Sequence, residues 1–279
     1  MVESESGGPV AFTENKGVKI YWQEEGRGEP VLLIMGLGWS SEMWHRTKRL
    51  LTDRYRTISF DNRGAARSDV PAGPYPIATM ASDAAAVLDA AGVESAHLYG
   101  VSMGGMIAQE FALQYPQRVK SLILGCTAAG GPESKRAELE VLTVLTRQGM
   151  TAEEAARAIN PYIYDRGTPQ SRIEEDMKIR LQWPATAEGF QAQLQGIIMW
   201  EAYSRIAKIA VPTLVMHGET DQLVPAENSK LIAQRISGSK LVMIPQASHI
   251  FSNDQPDAAH KPVEDFLLAQ TPHSASGAP

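Results

Sequence analysis

Six apolar runs of strand length constrain this 279-residue chain more than any other feature. They are VLLIM (31–35), RTISF (56–60), SAHLYGV (95–101), SLILGC (121–126), PTLVMHG (212–218) and KLVMIP (240–245). Most do not alternate apolar with polar residues. Successive side chains of a strand point to opposite faces, so a strand with one wet face alternates and one covered on both faces does not. Helical patterns lie between the runs, at about 40–52, 77–91, 103–115, 226–236 and 256–269. Strand and helix in alternation predict an α/β fold: a mostly parallel sheet flanked by helices. Two earlier segments, about 9–14 and 18–25, read as an antiparallel hairpin at one edge, which brings the expected sheet to eight strands.

The rhythm breaks between Cys126 and Pro212, where no convincing strand occurs. Helical patterns fill the gap near 134–148, 151–160, 170–183 and 187–206. The stretch TAEE at Thr151 has the spacing of a capping box, with Glu154 at the third helical position. A helical insertion between two strands reads as a lid over the ligand-binding end of the sheet, because open α/β sheets bind ligands at their strand C-termini. The expected division is a core of 9–130 and 209–270, a helical cap of 131–208, and loose tails at 1–8 and 271–279.

Composition narrows the function classes. With 43% hydrophobic and 21% charged residues the chain can build a large core. A net charge of −6 and the lack of a basic stripe argue against nucleic acid. No apolar run approaches the roughly 20 residues of a membrane span. The start, MVESESGGPV, has neither a basic nor an apolar signal region, and the one cysteine, Cys126, allows no intrachain disulfide. The expected location is cytoplasmic. No two histidines are four residues apart and there is no cysteine cluster, so no metal is expected. A homodimer is left open.

The chemistry concentrates at Gly100-Val101-Ser102-Met103-Gly104, a G-x-S-x-G motif between a strand pattern and a helix pattern. A sharp strand-to-helix turn crowds the positions two before and two after the serine, and glycine relieves both. It also sets the Ser102 hydroxyl at a helix N-terminus, where free N–H groups favour negative charge. A serine needs a base. Of the six histidines, His249 in IPQASHIFSND stands in a loop after the last strand, on the serine's side of the sheet. The acid is expected after the preceding strand, where LVMHGETDQLVP offers Asp221 and, less deep in the loop, Glu219. Its role is to hold the imidazole tautomer and stabilise imidazolium. Met103 and Leu37 are the expected backbone donors to an oxyanion, with Gly36 and Gly38 allowing close approach.

Together these residues resemble the α/β-hydrolase superfamily over about residues 9–270. DNRGAARSD (61–69) resembles its loop after the fourth strand. LILGCTAAGGPE and ASHIFSNDQPDAAHKPVEDFL resemble a branch of carboxylesterases and enol-lactone hydrolases, including 3-oxoadipate enol-lactonase. The resemblance implies serine hydrolysis of a small ester or lactone, without a cofactor, under a helical cap. Trp39, Met150, Trp183, Trp200 and Ile250 are the expected substrate-lining residues, and Arg147, Arg166, Arg172 and Arg180 could clamp a substrate carboxylate. Departures are Met35 where relatives often have histidine, Ala66 for a second loop glycine, and Ile250 where C–C bond hydrolases often carry an aromatic. Competing readings are C–C hydrolysis or perhydrolysis on the same triad and a non-catalytic receptor. Dinucleotide binding at Gly36-Leu37-Gly38 matches more weakly, since Ser41 stands where the third glycine belongs.

Overall fold

The computed structural model of the chain describes residues 2–3 and 9–270. Among these, nine strands form one sheet: β1 (Val2–Glu3), β2 (Pro9–Asn15), β3 (Val18–Glu25), β4 (Glu29–Ile34), β5 (Tyr55–Phe60), β6 (Ala96–Val101), β7 (Val119–Gly125), β8 (Thr213–Gly218) and β9 (Lys240–Ile244). Their order is β1-β2-β3-β5-β4-β6-β7-β8-β9. The pairs from β1 to β3, and β3 with β5, are antiparallel; all others are parallel. The eight expected strands are present, and β1 adds a two-residue ninth at the edge, within what was expected to be a loose tail. The rest of both expected tails lies outside the described residues.

The lack of alternation in the apolar runs has a simple cause. Leu32, Ile34 and Leu98 point into one core, against α2 (Ile77–Ala90) and α3 (Met103–Gln114). Val31, Leu33 and Tyr99 point into a second core on the other face, closed by α1 (His45–Leu51) and the C-terminal helix Pro256–Gln270. Both faces of the sheet are therefore dry, and every position of its central strands can be apolar.

Between β7 and β8 the chain forms α4 (Leu139–Thr146), α5 (Ala152–Ile163), α6 (Gln170–Gln182) and α7 (Ala187–Met199). The capping box at α5 is formed: Thr151 accepts from the Glu154 N–H at 3.2 Å, and Glu154 accepts from the Thr151 N–H at 2.7 Å. The last cap helix is shorter than its pattern suggested. After Met199 the chain turns and Glu201 pairs with Gly130 in an antiparallel bridge. Beyond β8 follow α8 (Glu227–Arg235), the short α9 (Phe251–Asp254) that the pattern did not reveal, and α10 (Pro256–Gln270).

The cap helices are attached unequally. α4 buries only Val141. α7 buries Gly189, Ala192, Gln193 and Gly196, one helical face at the spacing i, i+3, i+4, i+7. That face presses on the loop after β5, where Tyr75 N–H donates to Ala192 O at 3.1 Å. A Cβ on Gly189 would stand 2.0 Å from Gly64 O, and one on Gly196 would stand 1.9 Å from Tyr75 O. Gly196→Ala should therefore lower Tm in a thermal melt, although alanine is the better helix former by about 1 kcal/mol, because the overpacking costs about 1–3 kcal/mol.

Candidate active site

β6 ends at Val101 and α3 begins at Met103, so Ser102 alone makes the turn. Its backbone lies at φ 56, ψ −124, which an L-residue adopts only under strain of about 1–3 kcal/mol. Two hydrogen bonds hold it there: Ser102 N–H to Gly125 O at 2.9 Å, and Thr127 Oγ1 to Ser102 O at 2.7 Å. The flanking glycines answer to contact distances. A Cβ on Gly100 would meet Gly104 O at 2.2 Å, and one on Gly104 would meet Ile34 O at 2.0 Å.

Asp221 and His249 come from the loops after β8 and β9. His249 Nδ1 donates to Asp221 Oδ2 at 2.8 Å, which leaves Nε2 as the nitrogen able to take a proton. The other oxygen, Oδ1, accepts the Leu223 and Val224 N–H groups, both at 2.9 Å. Burial would raise the Asp221 pKa, but the charge of His249 and hydrogen bonds from His217 and His249 outweigh it and hold the pKa at about 2. The His249 loop is pinned on both sides. Ser248 N–H donates to Asp254 Oδ2 at 2.6 Å, and Ile250 N–H donates to Ile163 O of α5 at 2.9 Å. Glu219, the other acid offered by the sequence, is exposed.

Ser102 and His249 line one cavity, and no hydrogen bond joins the Ser102 hydroxyl to the imidazole. Such contacts are often long before substrate binds and tighten in the reacting complex. Leu37 and Met103 line the same cavity, and neither backbone N–H has an acceptor among the described residues. Gly36 brings the first of these donors close: a Cβ there would lie 3.1 Å from Ser102 Cβ.

The cavity measures about 1130 Å³ between the sheet and the cap. Trp39, Met150, Trp200 and Ile250 line it, as do Arg147 and Arg180. Trp183 does not. It follows the last turn of α6, and Arg67 stacks on its ring at 4.9 Å. Arg166 and Arg172 are likewise outside the lining; Arg172 donates to Asn253 O. Cys126 is a buried wall residue whose thiol burial pushes well above its usual pKa. Asp61, just after β5, is fully buried and accepts from Ser41 N–H and Arg67. Among the described residues no group of three or more His, Cys, Asp or Glu side chains is placed to hold a metal ion.

Two residues near the chemistry had no clear sequence signal. His217 shares Asp221: its Nε2 lies 3.0 Å from Asp221 Oδ2 and 2.8 Å from Val224 O. Two acceptors at one nitrogen require it to carry hydrogen. Only the four-residue spacing to Asp221 at a strand end could have hinted at the pair. Gln193, fully buried on α7, accepts from Gly38 N–H at 2.8 Å, and its partner lies 155 residues away.

One wall is polar. Asp176 accepts from Tyr164 Oη at 2.9 Å and from Asn253 Nδ2 at 2.6 Å, and burial raises its pKa to about 6. A carboxyl whose pKa rises on folding disfavours the fold progressively as it ionises. Asp176→Asn should therefore raise Tm at pH 8. The gain should shrink as pH falls through about 6 and vanish below ~3.9, the free carboxyl's value. Melts of both proteins across that range check the sign.

Comparison with known proteins agrees with this fold. A model of the alpha/beta hydrolase fold matches residues 29–151 and 143–256. A relative from Azorhizobium caulinodans, provisionally named carbamate hydrolase RutD, is 32% identical over 92% of this chain and 98% of its own. 3-Oxoadipate enol-lactonase 2 of Acinetobacter baylyi is 30% identical over 85% of this chain and 88% of its own. The structure of an esterase from Exiguobacterium antarcticum superposes with a TM-score of 0.82 at 26% identity, covering 92% of this chain and 98% of the esterase. A sheet of this order, a strained serine between β6 and α3, and matches spanning most of the length lead to one assignment: the chain belongs to the alpha/beta hydrolase fold family.

Proposed function

We propose that the protein is a serine hydrolase of carboxylic esters or lactones, acting through Ser102, His249 and Asp221. Ser102 Oγ attacks the carbonyl carbon while His249 Nε2 takes its proton. The Leu37 and Met103 N–H groups receive the oxyanion. His249 then protonates the leaving oxygen, and the acyl group stays on Ser102. Water repeats the sequence: it loses a proton to His249, displaces the serine and frees the acid. The observation that carries this reading is the Asp221–His249 hydrogen bond at 2.8 Å, made beside a cavity that also holds Ser102 and two unspent N–H donors.

The cavity supports a substrate with a bulky apolar part, since Met, Leu, Ile and Trp side chains make up much of its wall. Arg180 adds a polar element. It stacks on Trp39 at 4.7 Å, donates to Asn160 Oδ1 at 2.8 Å, and feels the charge of Asp176 while no carboxylate among the described residues is in ion-pair contact with it. An arginine so placed favours a substrate that also bears a carboxylate. A carbamate differs from an ester only beside the reacting carbonyl, so the same machinery serves the activity named for the Azorhizobium relative.

A panel of p-nitrophenyl esters, lactones and aryl carbamates separates these classes, with peroxide added to detect perhydrolysis. Ser102→Ala should lower ester turnover about 10⁶-fold, and a fluorophosphonate label should map to Ser102. Labelling of another residue, or a wild type inert to the whole panel, overturns the reading; inertness with tight small-molecule binding supports a receptor. With Asp221 ionised down to about pH 2, its protonation should contribute nothing to any acid fall of kcat/KM above about pH 4, which a pH profile of kcat/KM checks. Arg180→Met should reduce kcat/KM for a carboxylate-bearing ester about tenfold or more and leave its uncharged counterpart within about twofold.

A further inference from the structure

We propose that Gln193 is a positioning residue that holds the oxyanion loop from the cap, so that acyl transfer depends on α7 being docked. The inference rests on the serine-hydrolase reading above and on Leu37 as an oxyanion donor.

Gln193 has both ends of its amide committed. Oε1 accepts from Gly38 N–H at 2.8 Å and Nε2 donates to Arg63 O at 2.7 Å, with the side chain fully buried. One partner is an N–H and the other a carbonyl, so only one orientation of the amide satisfies both. The far anchor is rigid. Arg63 makes a buried bidentate pair with Asp83 of α2, with both contacts at 2.6 Å. The near anchor lies in the loop that carries the donor.

Three successive peptide planes explain why this matters. A peptide unit is flat, so fixing one atom of it restrains the whole plane. The Met35–Gly36 plane is fixed through its carbonyl, which accepts from Asn62 Nδ2 at 2.9 Å. The Leu37–Gly38 plane is fixed through its N–H by Gln193. The Gly36–Leu37 plane between them carries the unspent Leu37 N–H. Gly36 bounds that plane and would otherwise leave it free to turn, and Gly38, at φ +72 where glycine is at ease, bounds the next plane along. Asn62 belongs to the main fold and Gln193 to the cap, so the direction of the donor is set jointly. The contacts of Gly189 and Gly196 with the loop at residues 64–75 keep α7, and with it Gln193, at a fixed height above the sheet.

The test compares Gln193→Met, which keeps the volume and loses both hydrogen bonds, with Gln193→Glu, which keeps an acceptor for Gly38 N–H. Gly196→Ala lifts α7 with Gln193 intact. Gln193→Met and Gly196→Ala should each lower kcat for a p-nitrophenyl ester about tenfold to a hundredfold, with KM within about threefold of wild type. Each should weaken inhibition by a trifluoromethyl ketone, whose adduct carries the same oxyanion, by a similar factor. Gln193→Glu should keep more of kcat than Gln193→Met. Unchanged kcat, or unchanged ketone affinity in a variant with reduced kcat, overturns the clamp. If Gln193→Met gives no cooperative melt, Gly196→Ala decides on the same two readouts. A wild type without ester activity or serine labelling removes the underlying reading instead, whereas an active wild type with insensitive variants removes the clamp alone.

Discussion

One strained residue joins the sheet to the site. Ser102 sits at positive φ because β6 must stop and α3 must start within a single residue, and that sharpness lifts its hydroxyl out of the core. The surroundings make the turn obligatory. Gly104 lies so close to Ile34 that any side chain there would drive α3 away from β4, and a Cβ on Gly105 would collide with Thr127, whose hydroxyl holds Ser102 O. The strain is balanced by packing on both faces of the strand, where Leu98 is fully buried and Tyr99 nearly so.

The electrostatics converge on Asp221. A buried carboxylate with no partners would be driven toward its neutral form. Here two N–H groups of its own loop and two imidazoles donate to it, so it stays charged in a dry place. His217, which touches Ser229 Oγ at 2.6 Å on its far side, occupies part of the oxygen that also serves His249. That arrangement fixes the carboxylate plane and hence the direction in which the His249 ring is held.

The cap is more than a cover. α5 supplies the carbonyl of Ile163 to the residue after His249; α6 lays Arg180 on Trp39; α7 supplies Gln193 to Gly38. Both loops on which the proposed chemistry depends are therefore gripped from above and rooted in the sheet below. α4, which buries one residue, is the part of the cap with least to hold it.

Much of this was written locally. A strand dry on both faces can be apolar at successive positions, so β4 through β8 were legible as runs, and the crowding around Ser102 left its mark as glycine on either side. Depth in one short loop separated Asp221, which is buried against His249, from Glu219, which is exposed. The Gly38–Gln193 contact was not legible, because 155 residues separate its partners and glutamine on an amphipathic helix ordinarily faces water. Trp183 misled for a related reason: an aromatic in the cap suggested the cavity, yet Arg67 offered its ring a cation on the outside. The sequence by itself determined the layered fold and the tight turn at Ser102, since each follows from periodicity or steric crowding between near neighbours. Only the tertiary structure decided which cap side chains reach the site, because that depends on how α7 seats against the loop after β5, through contacts that no local pattern encodes.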